Sequence, residues 1–524
     1  VRPLFYTETP GQALIFASEI KSILSDRRVR AEIDPAVVRQ VFLFWAPLSP
    51  CTAFKGIVEL PPGHFLTADE RGVRVEAYWT NRFPDEAQAA AAARRPFGEV
   101  VSEFRALLTD ACRIRLRADV PVGAYLSGGL DSSAIASIVR RGTTSKLSTF
   151  SIAFDDAQFD ESSFQREMAA HLGTEHHVIR ATHEDIGRAF PEVVWHAEVP
   201  VMRTAPAPMF LLSKLVRDRG FKVVLTGEGA DEFLAGYDIF KEAKARRFWA
   251  RQPGSKWRSA LLQRLYPDIS GMSHVHHETL AAFFGEGLGD TESPWYSHAV
   301  RWRNNLRTWR FLNDEPTGAG PHFERLSAAL PPDFGKWGPL ARAQHLETSI
   351  FLSHYLLSSQ GDRMGMAHSI EGRFPFLDVR LTEFCNRLEP GFKMRGLREK
   401  HLLKAAAQPW LPDLIRSRPK RPYRAPVHRS FFHDGAPDYV RELLGAQSLK
   451  DAGLFRPAAV AQLSAKIAGG ARIGETDDMA LAGILSTQLL HHLFVKNLRR
   501  CPPLGAKDPV KVCRLNSNRR EDKS

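Results

Sequence analysis

Apolar residues at Val100, Val101, Phe104, Leu107, Leu108 and Ala111 recur every three or four positions, the period of an amphipathic helix laid on a core. Downstream the period alternates. Continuous apolar runs over 120–126, 147–154 and 222–226, and a short one over 177–179, predict buried strands. Helical periodicity occupies 132–141, 161–172 and 209–219 between them. Strand and helix in alternation imply right-handed βαβ units, so the predicted class is α/β, a parallel sheet with helices on both faces. Residues 240–500 are mostly helical by pattern and hold most of the tryptophans, which adds a helical layer to the sheet.

Upstream the pattern is different. Strand-like pieces at 4–6, 13–17, 63–66 and 73–75 are separated by turn formers such as Pro61-Pro62-Gly63, and the chain, opening on Val1, enters them at once, as a start in mid-domain would. Residues 1–84 therefore read as a β-rich piece. Residues 85–97, with alanine from Ala89 to Ala93 and then Pro96, lack apolar periodicity and read as a linker. A second domain is expected over 98–498, and 499–524, basic and poor in apolar groups, reads as a disordered tail.

Composition narrows the class. With 524 residues, 44% apolar and 25% charged, the chain has ample material for a core. No run approaches the ~18 apolar residues of a membrane span, and no signal-peptide pattern opens the sequence, so the expectation is a soluble, cytoplasmic protein without a membrane partner. Five scattered cysteines (Cys51, Cys112, Cys385, Cys501, Cys513), none in a C-x-x-C, argue against a disulfide framework or zinc ribbon. The net charge of +12 is spread along the chain without a reading motif, so a nucleotide substrate is expected in preference to nucleic acid.

Two loops carry candidate chemistry. In the first, Leu126-Ser127-Gly128-Gly129-Leu130-Asp131-Ser132-Ser133 leaves a strand and opens a helix. Adjacent glycines let the backbone approach a ligand, three hydroxyls face it, and the helix N-terminus favours an anion such as phosphate. A carboxylate there repels phosphate unless a divalent cation intervenes, which makes Asp131 a candidate Mg²⁺ ligand. A Gly-Gly turn with a Ser/Asp cap is the plainer alternative. The loop is neither a Walker A loop nor G-x-G-x-x-G. In the second, Thr226-Gly227-Glu228-Gly229-Ala230-Asp231-Glu232 crowds three carboxylates into five residues, costly unless a cation or reacting group uses them. Asp231 is the second candidate metal ligand. A solvated acidic turn is disfavoured because buried Val223-Val224-Leu225 runs straight into the loop.

The first loop resembles the S-G-G-x-D-S pyrophosphate loop of ATP pyrophosphatases, the PP-loop enzymes, which cleave ATP between its α and β phosphates. With Gly227 to Glu232, Asp362-Arg363-Met364 and Arg373-Phe374-Pro375-Phe376-Leu377-Asp378 in order, the chain is similar to glutamine-dependent asparagine synthetases. Arg2 to Tyr6, Phe16 to Lys21 and Leu60 to His64 are similar to the closing part of that family's Ntn glutaminase domain. The resemblance implies a PP-loop synthetase domain with helical additions behind a truncated glutaminase domain. It implies ATP as substrate, Mg²⁺, and a β-aspartyl-AMP intermediate that ammonia, drawn from glutamine in a full-length protein, converts to asparagine. A homodimer is compatible with it.

Residue by residue, the resemblance assigns Ser127, Gly128, Gly129, Asp131 and Ser132 to pyrophosphate and Mg²⁺, and Leu126, Ile152, Thr226 and Gly227 to the nucleotide. Glu228 falls where a glutamate serves acyl-adenylate formation and attack, a place where protons must be shed. Arg203 matches an arginine on the amino-acid carboxylates. Lys420 matches a lysine that neutralises charge on the α-phosphate and leaving pyrophosphate; a solvated basic run is the plainer reading of its neighbourhood. Two departures stand out. The family's amino-terminal cysteine nucleophile has no counterpart, Cys51 being internal, so glutamine hydrolysis is not expected of this chain. Pro200 and Val201 stand where some members have substrate-defining threonines, leaving open a rival that acts on another carboxylate, such as a ring-closing amide or macrolactam synthetase. An ATP-binding relic is disfavoured by intact Asp131, Glu228, Asp231 and Lys420, and a tRNA-modifying thiolase by the lack of a tRNA-binding module.

Overall fold

The computed structural model describes residues 3–9, 13–92, 94–143, 146–266, 276–313 and 318–499. Strands β1 (Phe5–Thr9), β2 (Ala13–Ala17) and β3 (Val58–Glu59) form an antiparallel sheet in the order β2-β1-β3, and β4 (His64–Asp69) pairs with β5 (Gly72–Ala77) as a hairpin. The central sheet is parallel and is built from β6 (Val122–Tyr125), β7 (Ser148–Phe154), β8 (Glu175–Ala181), β9 (Val223–Leu225) and β10 (Glu371–Arg373), in the order β10-β9-β6-β7-β8. Every residue of β7 is buried, as expected of a strand covered on both faces. The α/β class and the strands expected over 120–126, 147–154 and 222–226 are borne out.

The strand order places the site. From β6 the chain moves outward through β7 to β8, then returns to lay β9 on the other side of β6. The loops after β6 and β9 therefore leave in opposite directions from neighbouring strand ends, opening the crevice in which α/β sheets bind ligands. The helices that follow or cover these strands include Leu130–Gly142, Ser162–Leu172 and Pro206–Asp218.

Three expectations need correction. Residues 1–84 are not purely β-rich: Pro35–Phe44 is an almost wholly buried helix, capped by the Asp34 side chain accepting from the Ala36 N–H at 2.9 Å. Its apolar residues lie on all sides, so it shows no helical stripe, and β-branched Val37, Val38 and Val41 suggest strand. The stretch read as linker contains an exposed helix, Glu86–Ala92, and the next helix begins at Phe97; alanine's helix propensity suffices without an apolar face. Strand β8 exceeds the predicted 177–179, and β10, only Glu371-Gly372-Arg373, has no apolar run to announce it. Helix His183–Ala197 is signalled by a Thr182/Asp185 capping box that periodicity alone passes over.

The two sequence regions share one core. Phe5, Ile20, Ile23, Val38, Phe42 and Phe54 lie in the same apolar cluster as Phe150, Phe190, Met202, Met364 and Leu485. A buried polar knot reinforces it: the Glu198 carboxylate accepts from the Ile20 and Lys21 backbone N–H groups, both at 2.8 Å, and pairs with Lys21 at 3.1 Å and Arg363 at 3.2 Å. Among the described residues Cys51, Cys112 and Cys385 are free thiols, and no helix is long and apolar enough to cross a membrane. Apart from Arg499, the region read as a basic tail lies outside the described residues.

Candidate active site

The loop after β6 is folded by its own hydroxyls. Ser132 Oγ accepts from the Ser127 N–H at 3.1 Å and lies 2.9 Å from Ser127 Oγ, which accepts from the Gly129 N–H at 3.3 Å. Helix Leu130–Gly142 starts without a side-chain cap, so its N-terminal donors remain for a ligand. Gly128 adopts φ +72°, and a Cβ there would sit 2.7 Å from Phe164. Gly227 answers from the second loop: a Cβ on it would come within 2.9 Å of the Ser132 backbone nitrogen, so the loops touch only because this residue is glycine.

A cavity of about 490 Å³ opens over both loops. Leu126, Ser127, Asp131, Ser132, Ile152, Thr226, Gly227, Glu228 and Asp231 line it, and so do Arg203 and Lys420 from distant segments; Gly128 and Gly129 shape the loop without lining it. At the floor, Lys400 Nζ lies 2.6 Å from Asp131 Oδ2 and 2.5 Å from Asp231 Oδ1, while Lys420 Nζ donates to Asp231 Oδ2 at 2.7 Å. Burial pushes the Asp131 carboxyl above its ordinary value, against the pull of Lys400. Asp231 is held below its ordinary value, because Lys400 and Lys420 outweigh its burial. Two carboxylates and two ammonium groups make a preorganised, charge-balanced cluster.

The cluster bears on Mg²⁺. Asp131 Oδ1 is buried and has no hydrogen-bond partner among the described residues, an acceptor left free for a cation. Among the described residues no group of three or more His, Cys, Asp or Glu side chains is placed to hold a metal ion by itself, so Mg²⁺ here would be held by one or two carboxylates together with substrate phosphates.

Glu228 accepts a hydrogen bond from Thr226 Oγ1, and burial raises its carboxyl above the usual range. Next to it, burial and then the Asp231 charge push Glu232 up to about 8, and Tyr237 donates to Glu232 Oε1 at 2.8 Å. The segment 418–424 closes over the first loop: Arg418 donates to the Gly128 carbonyl at 3.2 Å and packs over the Phe164 ring at 4.0 Å. Strand β7 walls one side of the cavity, where Gln165 Nε2 donates to the Ile152 carbonyl at 2.8 Å.

Away from the two loops the cavity changes character. Arg203 Nη2 donates to Glu475 Oε1 at 2.5 Å, its guanidinium lies 4.5 Å from the Trp45 ring centroid, and that of Arg301 lies 5.3 Å from the same ring. Trp45 packs on Phe351, which stacks with Tyr355 along the π-helix Glu347–Asp362. Trp45 ends helix Pro35–Phe44 at φ +70°, a left-handed conformation that costs a bulky residue about 1–2 kcal/mol and is kept only where the surroundings fix it. Sequence reasoning missed Trp45, Arg301, Lys400 and Glu475. Lys400 had one available signal, since buried Asp131 and Asp231 require more cation than Lys420 supplies.

The sequence comparisons agree with this geometry. Residues 103–492 match the asparagine synthase family model and residues 1–79 match the glutamine amidotransferase domain. An amidase, chyE, of Penicillium rubens is 32% identical over 83% of this chain and 67% of its own length. A second amidase, chry2, of Gibberella zeae is 29% identical over the same shares. An asparagine synthetase (glutamine-hydrolyzing) of Bacillus subtilis is 29% identical over 84% of this chain and 66% of its own length. The chain thus spans about two thirds of the length of the curated relatives it matches. With a family match over most of its length and both signature loops meeting at the sheet's switch point, the chain belongs to the asparagine synthase family.

Proposed function

We propose that this chain is an ATP-dependent amide ligase that activates a carboxylate as its acyl-adenylate. Family membership supports ATP-dependent amide ligation; what carries the finer reading is the convergence of Asp131, Asp231, Lys400 and Lys420 where the two loops touch. In the proposed reaction an acceptor carboxylate oxygen attacks the α-phosphorus of ATP and the bond to pyrophosphate breaks. Ammonia then attacks the acyl carbon, AMP leaves, and an amide remains. Ser127, Ser132 and the open helix N-terminus would hold the departing pyrophosphate. Leu126, Ile152 and the Thr226-Gly227 backbone would flank the nucleotide, and Lys420 would meet charge developing on the α-phosphate. Asp131 and Asp231 would hold Mg²⁺, which when bound offsets phosphate charge. Glu228, kept in a buried place that raises its proton affinity, would take the proton that the attacking nitrogen sheds.

The acceptor we propose first is aspartate, with Arg203 on its carboxylate and asparagine as product, the nitrogen coming from ammonia or, in a longer protein, from glutamine. A second reading has support of its own. Val201 is fully buried and its backbone is bonded to Ser486, and the Thr204 hydroxyl donates to the Pro426 carbonyl at 2.6 Å, so side-chain hydroxyls from this segment are not presented around Arg203. Together with the similarity to two fungal amidases, this favours amide formation on a different carboxylate in specialised metabolism. ATP/pyrophosphate exchange with L-aspartate and a panel of other carboxylic acids decides between them. Exchange with aspartate supports the first reading, exchange with other acids alone supports the second, and exchange with none sinks both.

A further inference from the structure

The region matching the amidotransferase domain does more than flank the synthetase. Trp45 belongs to it, yet its ring forms part of the cavity wall beside Arg203. Its position is fixed from several sides. The Leu43 carbonyl accepts from Asn305 Nδ2 at 2.8 Å, Phe44 packs edge-on against Trp302 with centroids 4.9 Å apart, and Gln40 Oε1 accepts from the Leu48 N–H at 2.9 Å. Asn305 and Trp302 lie on the helix Ala299–Leu306 that also carries Arg301. The indole is thus clamped between the two cations of the wall and the π-helix.

Two buried donors in this wall are idle. Trp45 Nε1 and Arg203 Nε have no hydrogen-bond partner among the described residues, although both atoms are shielded from solvent. Indole and guanidinium N–H groups only donate, so what satisfies them must be an acceptor. Leaving both unmet is costly, and a ligand carboxylate meets that demand. The Arg203 fork is already oriented for it by the Glu475 pair and the indole face.

We infer that Trp45 is a substrate-recognition residue, its indole N–H and Arg203 Nε together receiving a carboxylate of the acceptor, so that the acceptor site is completed by the amidotransferase-like region even when ammonia is supplied directly. This rests on the adenylation reading and adds a role for the first 79 residues that is independent of glutamine. The ring of Trp45 positions Arg203, and its N–H contributes selectivity for an oxygen acceptor.

The test is ATP/pyrophosphate exchange by the whole chain, with L-aspartate, L-glutamate and N-acyl amino acids as acceptors, in wild type, Trp45→Phe and Trp45→Ala. Trp45→Phe keeps an aromatic ring and loses the N–H; the expected result is an acceptor KM raised about tenfold with the KM for ATP unchanged. Trp45→Ala, which also frees Arg203, is expected to raise it further. An unchanged acceptor KM in Trp45→Phe overturns the inference, and so does a parallel loss for ATP and acceptor, the mark of a merely structural residue. Wild type that exchanges with no acid removes the adenylation reading and this inference with it, whereas active wild type with an indifferent Trp45→Phe removes this inference alone.

Discussion

The two ends of the cavity are built in opposite ways. The end proposed to take the phosphates comes from two short contiguous loops at the ends of neighbouring strands, β6 and β9. The end proposed to take the acceptor draws Trp45, Arg203, Arg301, Phe351 and Glu475 from five segments, most of them helical. Backbone groups and small residues at fixed local spacing can wrap a phosphate, because every triphosphate presents the same shape. An acceptor differs from enzyme to enzyme, and a wall of separate side chains can be altered one residue at a time. On the proposed reaction, the invariant part of the substrate meets local structure and the variable part meets tertiary structure.

Breaking the phosphate end is expected to have the largest effect. Lys420→Ala leaves Asp231 with one lysine and removes the charge proposed to meet the α-phosphate, so exchange should fall about 1000-fold with every acid. Asp131→Ala should fall comparably, and normal exchange in either variant would remove that end from the chemistry.

Glu228→Gln should cost about 100-fold in amide formation. Because burial raises the Glu228 carboxyl, wild-type amide formation should fall as pH drops through a value above the ordinary carboxylate range, the protonated acid being unable to accept a proton. The same limb should be missing from the Glu228→Gln profile; its persistence would assign it to another group.

At the acceptor end the change should be confined to one substrate. Arg203→Lys retains charge but not the fork, so the acceptor KM should rise about tenfold while the KM for ATP stays fixed. A shift in both would show that the two ends are not separable.

The smallest effect is on stability. Glu232 titrates near 4.5 when unfolded and at about 8 when folded, so the folded chain retains a proton that the unfolded chain has released. That contribution is whole below the unfolded value and is lost as pH rises from there through about 8. Glu232→Gln keeps an acceptor for Tyr237 without the charge, so its Tm should exceed that of wild type at pH 8.5 by several degrees and match it near pH 4.5. Equal Tm curves across that range would contradict this account of Glu232.

The same contrast explains what could be read from the sequence. The two loops were legible because glycine, serine and carboxylate residues follow directly on buried apolar runs. The parallel sheet was legible because its strands alternate with helices of clear period. Trp45 was not, since its helix is buried on all sides and carries no stripe. Lys400 was not, because it approaches Asp131 from 269 residues away in the chain and nothing local marks it. Strand β10 is defined by pairing with β9 and not by its own three residues.

The shared core has a further consequence for how the chain comes apart. Helix Glu86–Ala92 joins the two regions, and none of its residues is buried. A protease finds its accessible peptide bonds there. Cutting them should not release a fragment, because Phe5, Ile23, Phe42 and Phe54 stay embedded among residues of the other part and Asn386 still grips Asn81 at 2.6 Å. The nicked chain should migrate as one particle, its covalent division invisible until the core itself is denatured.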